Sequence, residues 1–186
     1  RALLGRHASA SPKHGPELLI EGWVPRDIAE ASGAGPDTGV LEIGPGIGPL
    51  TVQLARRAAK VAAIELDRTL YPILAETLAP YPNAEVVPGD AMKLDLAALV
   101  SDKFSGLTAI ACANLPITSP PGTHRPHRGR VLRLHHGDDP AGGGPAHLRR
   151  PRFQRLWAFS VFCQYHTQPE LLFEVGPECF LPAPKV

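Results

Sequence analysis

Four short apolar runs of this 186-residue chain are each followed by residues suited to binding a small polar ligand. The first run, 40–43, leads into the glycines 44, 46 and 48, and the next three runs lead to Glu65, Asp90 and Asn114. Glycines let a backbone turn tightly and approach a ligand without an intervening Cβ. Carboxylate and amide oxygens accept hydrogen bonds from hydroxyl and amino groups. The combination indicates a pocket for a nucleoside that carries a reactive group.

The elements that must position these residues can be read from the same runs. Residues 40–43, 61–64, 85–87 and 107–113 are short, apolar and bounded by turn residues, which predicts strands. The segment 50–60 predicts a helix. A strand, a glycine turn and a helix open a doubly wound α/β domain, whose ligands bind at the carboxyl ends of the strands. We therefore expect an α/β fold with the four groups of polar residues at one edge of a parallel sheet.

Individual roles follow from these positions. Glu65, at the end of the second strand, is placed to accept hydrogen bonds from both hydroxyls of a ribose. Asp90 could accept from the amino group of an adenine while the Ala91 N–H donates to a ring nitrogen; alternatively, Asp90 only caps a helix that begins before Met92.

The spacing of the glycines restricts the type of cofactor that the loop can bind. Gly44, Gly46 and Gly48 form G-x-G-x-G, whereas a turn that binds a pyrophosphate uses G-x-G-x-x-G. The observed pattern, with Glu42 two residues before the first glycine, is usual in methyltransferases that use S-adenosyl-L-methionine (SAM). The alternative is a tight turn without a ligand.

Six stretches together resemble the ribosomal RNA adenine N6-dimethyltransferases, a family that also contains the macrolide-resistance methylases. They are LIEGWVPRDIAEASG (19–33), VLEIGPGIGPLT (40–51), AAIELDRTL (62–70), VVPGDAMKLDL (86–96), ANLP (113–116) and FLPAPKV (180–186). The resemblance implies a SAM-dependent, Rossmann-like methyltransferase domain over residues 1–186, with 18–120 and 158–186 family-like. It also implies that SAM contacts Leu19, Gly44, Glu65, Asp90 and Asn114.

The resemblance further implies the chemistry, in which adenine N6 attacks the methyl carbon of the sulfonium in line. The Asn114 side chain and the backbone carbonyl of Leu115 or Pro116 would accept the two N6 hydrogens as charge develops. The family holds the extruded base against an aromatic residue directly after this motif, where this chain has Ile117. Phe180, in the closing motif, would lie near the target base.

Residues 121–157 depart from the family, with eight arginines against two aspartates and no usable apolar period. The segment could be a disordered basic loop, an RNA-binding arm or a histidine metal site, although its histidine spacings match no known ligand set and we expect no metal. Codons can be chosen that, read one nucleotide out of phase, encode a family-like string here. We therefore hypothesise a frame-shifted translation, which the nucleotide sequence would decide, and expect poor order after Pro120.

After residue 157 the family pattern returns. The resemblance implies a helix at 158–166 and a strand at 170–175, and we expect the fold to lack the family's small helical C-terminal domain. The three cysteines include no C-x-x-C pair, which predicts buried free thiols.

Charge and composition restrict the partners and the location. The formal net charge of +1 includes +6 from residues 121–157, so the remainder sums to −5. Proteins that bind RNA neutralise phosphates with a basic face, so we expect weak RNA affinity. We expect a cytoplasmic monomer that acts on ribosomal RNA of the small subunit, without a membrane span or a signal peptide. The alternatives are an inactive SAM- or nucleotide-binding remnant, a macrolide-resistance enzyme that acts on 23S rRNA, and a nicotinamide-dependent oxidoreductase.

Overall fold

The computed structural model describes residues 18–19, 21–114, 134–135, 172–173 and 175–181. The strands are β1 (Leu18–Leu19), β2 (Thr38–Ile43), β3 (Lys60–Glu65), β4 (Ala84–Pro88), β5 (Thr108–Ala113), β6 (Leu134–His135) and β7 (Phe180–Leu181). The helices are α1 (Trp23–Ala31), α2 (Pro49–Ala55), α3 (Tyr71–Leu78) and α4 (Leu96–Lys103). Arg68–Leu70 and Pro177–Cys179 form 3-10 turns.

The main sheet has the strand order β4-β3-β2-β5-β6. Strands β2 to β5 run parallel, and β6 pairs antiparallel with β5. The four predicted strands are confirmed, each within about two residues of its predicted ends. Strand β6 lies inside the atypical segment 121–157, and the remainder of that segment lies outside the described residues. The predicted doubly wound α/β fold is thus confirmed.

Alternate residues of the central strand face two separate apolar cores, as the period of two in a strand requires. Val40 packs in a core with Leu50 and Leu54 of α2 and with residues of α1. Leu41 packs on the opposite face with Phe104, next to residues of α4. A third core forms around α3. Helices therefore cover both faces of the sheet, which leaves its strand ends as the place for a ligand.

Helix α2 is shorter than predicted, since it ends at Ala55 and not at Lys60, which is the first residue of β3. The Asn83 side chain donates hydrogen bonds to the carbonyls of Ala55 (2.8 Å) and Ala58 (3.0 Å). A helix leaves its last carbonyls without intrahelical partners. A side chain from the loop before β4 thus satisfies carbonyls at the end of α2, a contact that local propensity could not predict.

The second sheet joins the two ends of the described chain. Strands β1 and β7 pair antiparallel, with Leu19 opposite Phe180. The described residues of the predicted strand 170–175, namely 172–173 and 175, do not form a strand. Instead, the Phe173 ring packs at a tilt against Trp23 of α1, with 6.3 Å between ring centroids, and Val175 is buried in the core beside α1. The helix predicted at 158–166 lies outside the described residues.

Two of the three cysteines are described, and both agree with the sequence prediction. Cys112 and Cys179 are buried free thiols. Burial raises the pKa of the Cys112 thiol to about 12. Cys163 lies outside the described residues. Within the described part of the chain, every helix is too short or too polar to cross a membrane.

Candidate functional site

The register of the parallel sheet brings the predicted site residues to one edge. Ile43, the last residue of β2, lies opposite Ile64 of β3 and Ala113 of β5. Glu65, the last residue of β3, lies opposite Pro88 of β4. The loops that follow the four strands therefore begin at the same level. The convergence expected from the sequence holds for the glycine loop, Glu65, Asp90 and Asn114.

The point between β2 and β5 is where the direction of the chain around the sheet reverses. From β2 the chain proceeds through β3 to β4 on one side, and it then crosses back to form β5 on the other side. Ligands of doubly wound sheets bind in the crevice at such a reversal. Gly44 and Asn114 follow directly on these two strands, so they border the crevice.

The glycine loop leaves open space at this crevice. Gly44 has φ +71°, and a Cβ built on it would meet no atom within 4 Å. Its N–H donates to the carbonyl of Ile64 (3.0 Å), which ties the start of the loop to β3. Gly48 has φ +88°, and its Cβ would lie 3.1 Å from Thr77 Cγ2. A ligand can therefore approach the backbone at Gly44, while Gly48 fits the loop closely against α3.

The Glu65 carboxylate is buried and held by backbone donors from two loops. Its Oε1 accepts from the Asp67 N–H (2.7 Å), and its Oε2 accepts from the Gly46 N–H (3.3 Å). The Tyr71 hydroxyl donates to the Glu65 carbonyl (3.1 Å), which fixes the strand end. Each carboxylate oxygen has a second acceptor site. Glu65 can thus accept two further hydrogen bonds, as a ribose diol would require.

Asp90 and Ala91 form a turn directly after β4. The Asp90 Oδ1 accepts from the Met92 N–H (2.9 Å), and the Oδ2 lies 3.6 Å from Lys93 Nζ. Asp90 therefore orders its own turn, as the alternative interpretation requires, although no α-helix follows at Met92. Among the described residues the Ala91 N–H has no acceptor. The turn can offer a carboxylate acceptor and a neighbouring donor, the pair expected for the edge of an adenine.

The proposed catalytic motif is described only at its first residue. Asn114 is half-buried at the end of β5, whereas Leu115, Pro116 and Ile117 lie outside the described residues. Phe180 is half-buried and packs against the core beside α1. Leu19 is paired with it through the backbone of the second sheet.

Glu42, which the sequence marks only as part of the glycine pattern, is a buried carboxyl at this edge of the sheet. Glu42 is 1% exposed, and its Oε2 has no hydrogen-bond partner among the described residues. Burial raises the pKa of this carboxyl to about 7; the nearby Thr51 hydroxyl lowers it and the charge on Glu65 raises it further. Thr51 Oγ1 likewise lacks a partner of hydrogen-bonding geometry in the described part of the chain. The available signal was a carboxylate within an otherwise apolar strand.

Comparison with known proteins identifies one family. The model of the family described as ribosomal RNA adenine dimethylase matches residues 9–119, more than half of the chain. The "Ribosomal RNA small subunit methyltransferase A" of Alkaliphilus metalliredigens is 38% identical over 183 residues, which cover 92% of this chain and 61% of that protein. The protein of the same name from Geobacillus thermodenitrificans is 37% identical, with 100% of this chain and 65% of that protein covered.

Solved structures give a looser match. A crystal structure of the 23S rRNA methyltransferase ErmE superposes with a TM-score of 0.41 and 30% identity, over 53% of this chain and 48% of that one. The chain spans between three fifths and two thirds of the length of the curated relatives named above.

Proposed function

Because this chain belongs to the ribosomal RNA adenine dimethylase family, we propose that it transfers methyl groups from SAM to N6 of adenine in ribosomal RNA. The observation that carries the proposal is the sheet register, which brings the glycine loop, Glu65, Asp90 and Asn114 to one edge. The names of its relatives specify the small subunit, so we assign that RNA as the substrate. Family membership implies SAM as the cofactor.

Several features of the described residues support SAM as the ligand. The open space at Gly44 admits a ligand to the backbone, and Glu65 retains acceptor sites for a diol. Asp90 and Ala91 offer the acceptor and donor that an adenine edge needs. Carboxylates at 65 and 90 suit a cofactor with two cationic groups and one anionic group. When bound, SAM would supply a methyl carbon made electrophilic by its sulfonium.

This chain's contribution to the reaction is positioning and electrostatic stabilisation. We assign Asn114 Oδ1 and the carbonyl of Leu115 or Pro116 as acceptors for the two hydrogens on adenine N6. As N6 bonds to carbon it gains positive charge, and acceptors aimed at its hydrogens stabilise that charge. Phe180 is assigned to the target base. Its half-buried position beside α1 would provide an apolar surface for an unstacked ring.

We further propose that the protein acts as a cytoplasmic monomer. The names of the relatives specify ribosomal RNA of the small subunit, and a substrate of this kind supports a cytoplasmic site of action. Helices cover both faces of the sheet, so neither face requires a second subunit to bury it.

Substitution of Asp90 tests the proposed adenine subsite. In Asp90→Ala, loss of a charge-assisted hydrogen bond, about 1.5 to 3 kcal/mol, should weaken SAM binding roughly ten- to hundred-fold. Asp95→Ala is the matched control, because the Asp95 Oδ1 accepts from the Ala98 N–H (3.0 Å) at the start of α4 and orders a local turn in the same way. Isothermal titration calorimetry with SAM measures both variants. Equal affinities for Asp90→Ala and the wild-type protein would show that the subsite is misassigned.

Transfer of a labelled methyl group from SAM distinguishes the remaining alternatives. We expect incorporation into 16S rRNA, with N6-methylated adenosine as the product on nucleoside analysis. Incorporation into 23S rRNA alone would favour the macrolide-resistance type of activity. SAM binding without incorporation into either RNA would identify an inactive cofactor-binding remnant. NAD that competes with SAM would instead favour the oxidoreductase.

A further inference from the structure

Glu42 is a carboxyl group that the proposed reaction leaves without a role. It lies in the central strand β2, two residues before the glycine loop, on the face covered by α2. It is 1% exposed, and its Oε2 has no hydrogen-bond partner among the described residues. A buried ionised carboxylate without a partner is costly, so such a group either stays protonated or faces a cation.

The elements packed around Glu42 supply no positive charge within the described part of the chain. Strand β3 contributes the Glu65 carboxylate, strand β5 contributes the Cys112 thiol directly opposite, and α2 contributes the Thr51 hydroxyl. Burial and the Glu65 charge both raise the pKa of Glu42, to about 7 in total. In the free protein, Glu42 is therefore partly protonated near neutral pH.

The Glu42 carboxyl interacts electrostatically with the cofactor site through Glu65. Glu65, whose charge acts on Glu42, also accepts from the Gly46 N–H of the glycine loop. SAM carries a sulfonium and an ammonium against one carboxylate, so it brings net positive charge to this edge of the sheet. A cation near a carboxyl group favours its ionised form.

We propose that Glu42 is a proton-linked binding residue, whose carboxyl is partly protonated in the free protein near neutral pH and releases its proton to solvent when the positively charged cofactor enters the crevice. This inference rests on the proposed function, since it requires SAM to bind at the glycine loop. Glu42 would then stabilise bound SAM by electrostatic attraction at a distance. It would not donate or accept a hydrogen bond or a proton in methyl transfer.

The number of protons released on SAM binding, and the resulting change in SAM affinity, follow from the pKa of Glu42. A carboxyl with a pKa of about 7 is about half protonated at pH 7 and about nine-tenths protonated at pH 6. If the cofactor lowers this pKa by about two pH units, binding releases about half a proton at pH 7 and most of a proton at pH 6. The same linkage tightens SAM binding about five-fold between pH 6 and pH 7.

Calorimetric titration with SAM in buffers of different ionisation enthalpy measures the protons released. We expect release from the wild-type protein that increases from pH 7 to pH 6, and its loss in Glu42→Gln. Glu85→Gln is the matched control, because Glu85 also lies in a strand but is half exposed and pairs with Lys103 (3.1 Å). That variant should release protons as the wild-type protein does. S-adenosylhomocysteine, which lacks the sulfonium charge, should release fewer protons than SAM.

The outcomes separate this inference from the proposed function. SAM binding with the same heat in every buffer, or proton release that persists in Glu42→Gln, would refute the inference and leave the proposed function standing. Absence of SAM binding to the wild-type protein would refute both. Should Glu42→Gln fail to fold, the test is the affinity of the wild-type protein for SAM, compared at pH 6 and pH 7. An unchanged affinity would overturn the linkage.

Discussion

Replacement of Glu42 by glutamine should change how the stability of the free protein depends on pH. The carboxyl is 1% exposed beside Glu65 and Cys112, with an oxygen that has no partner in the described part of the chain. In the unfolded chain the same carboxyl is solvated and ionises at its ordinary pKa. Glutamine has nearly the same shape and does not ionise. The substitution therefore isolates the free-energy cost of ionising this site.

The magnitude follows from the difference between the two pKa values. A rise from 4.5 to about 7 on folding corresponds to about 3 kcal/mol. Between these pH values the folded state binds more protons than the unfolded state, so the free energy of unfolding falls as pH rises. This contribution is present below pH 4.5 and is lost as the pH passes through about 7. About 2.5 kcal/mol of the loss lies between pH 5 and pH 8.

Urea unfolding at pH 5 and pH 8, without SAM, measures the effect. The free energy of unfolding of Glu42→Gln minus that of the wild-type protein should increase by about 2.5 kcal/mol from pH 5 to pH 8. Glu85→Gln should show no such increase, because Glu85 is 50% exposed and lies beside Lys103. If the difference in free energy of unfolding between Glu42→Gln and the wild-type protein is the same at both pH values, the reasoning that burial destabilises the ionised form of Glu42 is refuted.

Two further substitutions test the packing that supports the site. In Gly39→Ala the new Cβ would overlap the Phe104 ring, so urea unfolding should show that the free energy of unfolding falls by about 1 to 3 kcal/mol. Gly35→Ala is the control, and it should retain most of its stability because its Cβ would meet its nearest atom at 3.6 Å. Equal losses of stability in the two variants would contradict the close packing at Gly39. Asn83→Ala should cost about 1 to 3 kcal/mol by leaving two carbonyls near the end of α2 without their donor, and an unchanged urea midpoint would count against that role.

Much of the architecture was predictable because it depends on local pattern. Short apolar runs bounded by glycine, proline and polar residues predicted β2 to β5 to within about two residues. The glycine loop after β2 implied a doubly wound sheet, and that topology in turn implied that Glu65, Asp90 and Asn114 share an edge. Each step used a general rule of chain geometry that does not depend on which distant residues are in contact.

The two wrong predictions lie at places where the chain contacts residues that are remote in sequence. Helix α2 ends at Ala55, where the side chain of Asn83, which is remote in sequence, donates to the carbonyls of Ala55 and Ala58, and Lys60 already belongs to β3. The described residues of the strand predicted at 170–175 do not form a strand, and Phe173 packs on Trp23. Neither contact has a signature in local composition.

Composition and spacing by themselves determined the fold class and the types of residue at the strand ends, since glycine conformation and strand periodicity are properties of short segments. Only the tertiary structure decided how those residues are held and charged. The Glu65 carboxylate is fixed by N–H groups of Gly46 and Asp67. Glu42 acquires a pKa of about 7 because folding removes water from it and places the Glu65 charge nearby. Desolvation and hydrogen bonding depend on neighbours in space, which a linear pattern does not specify.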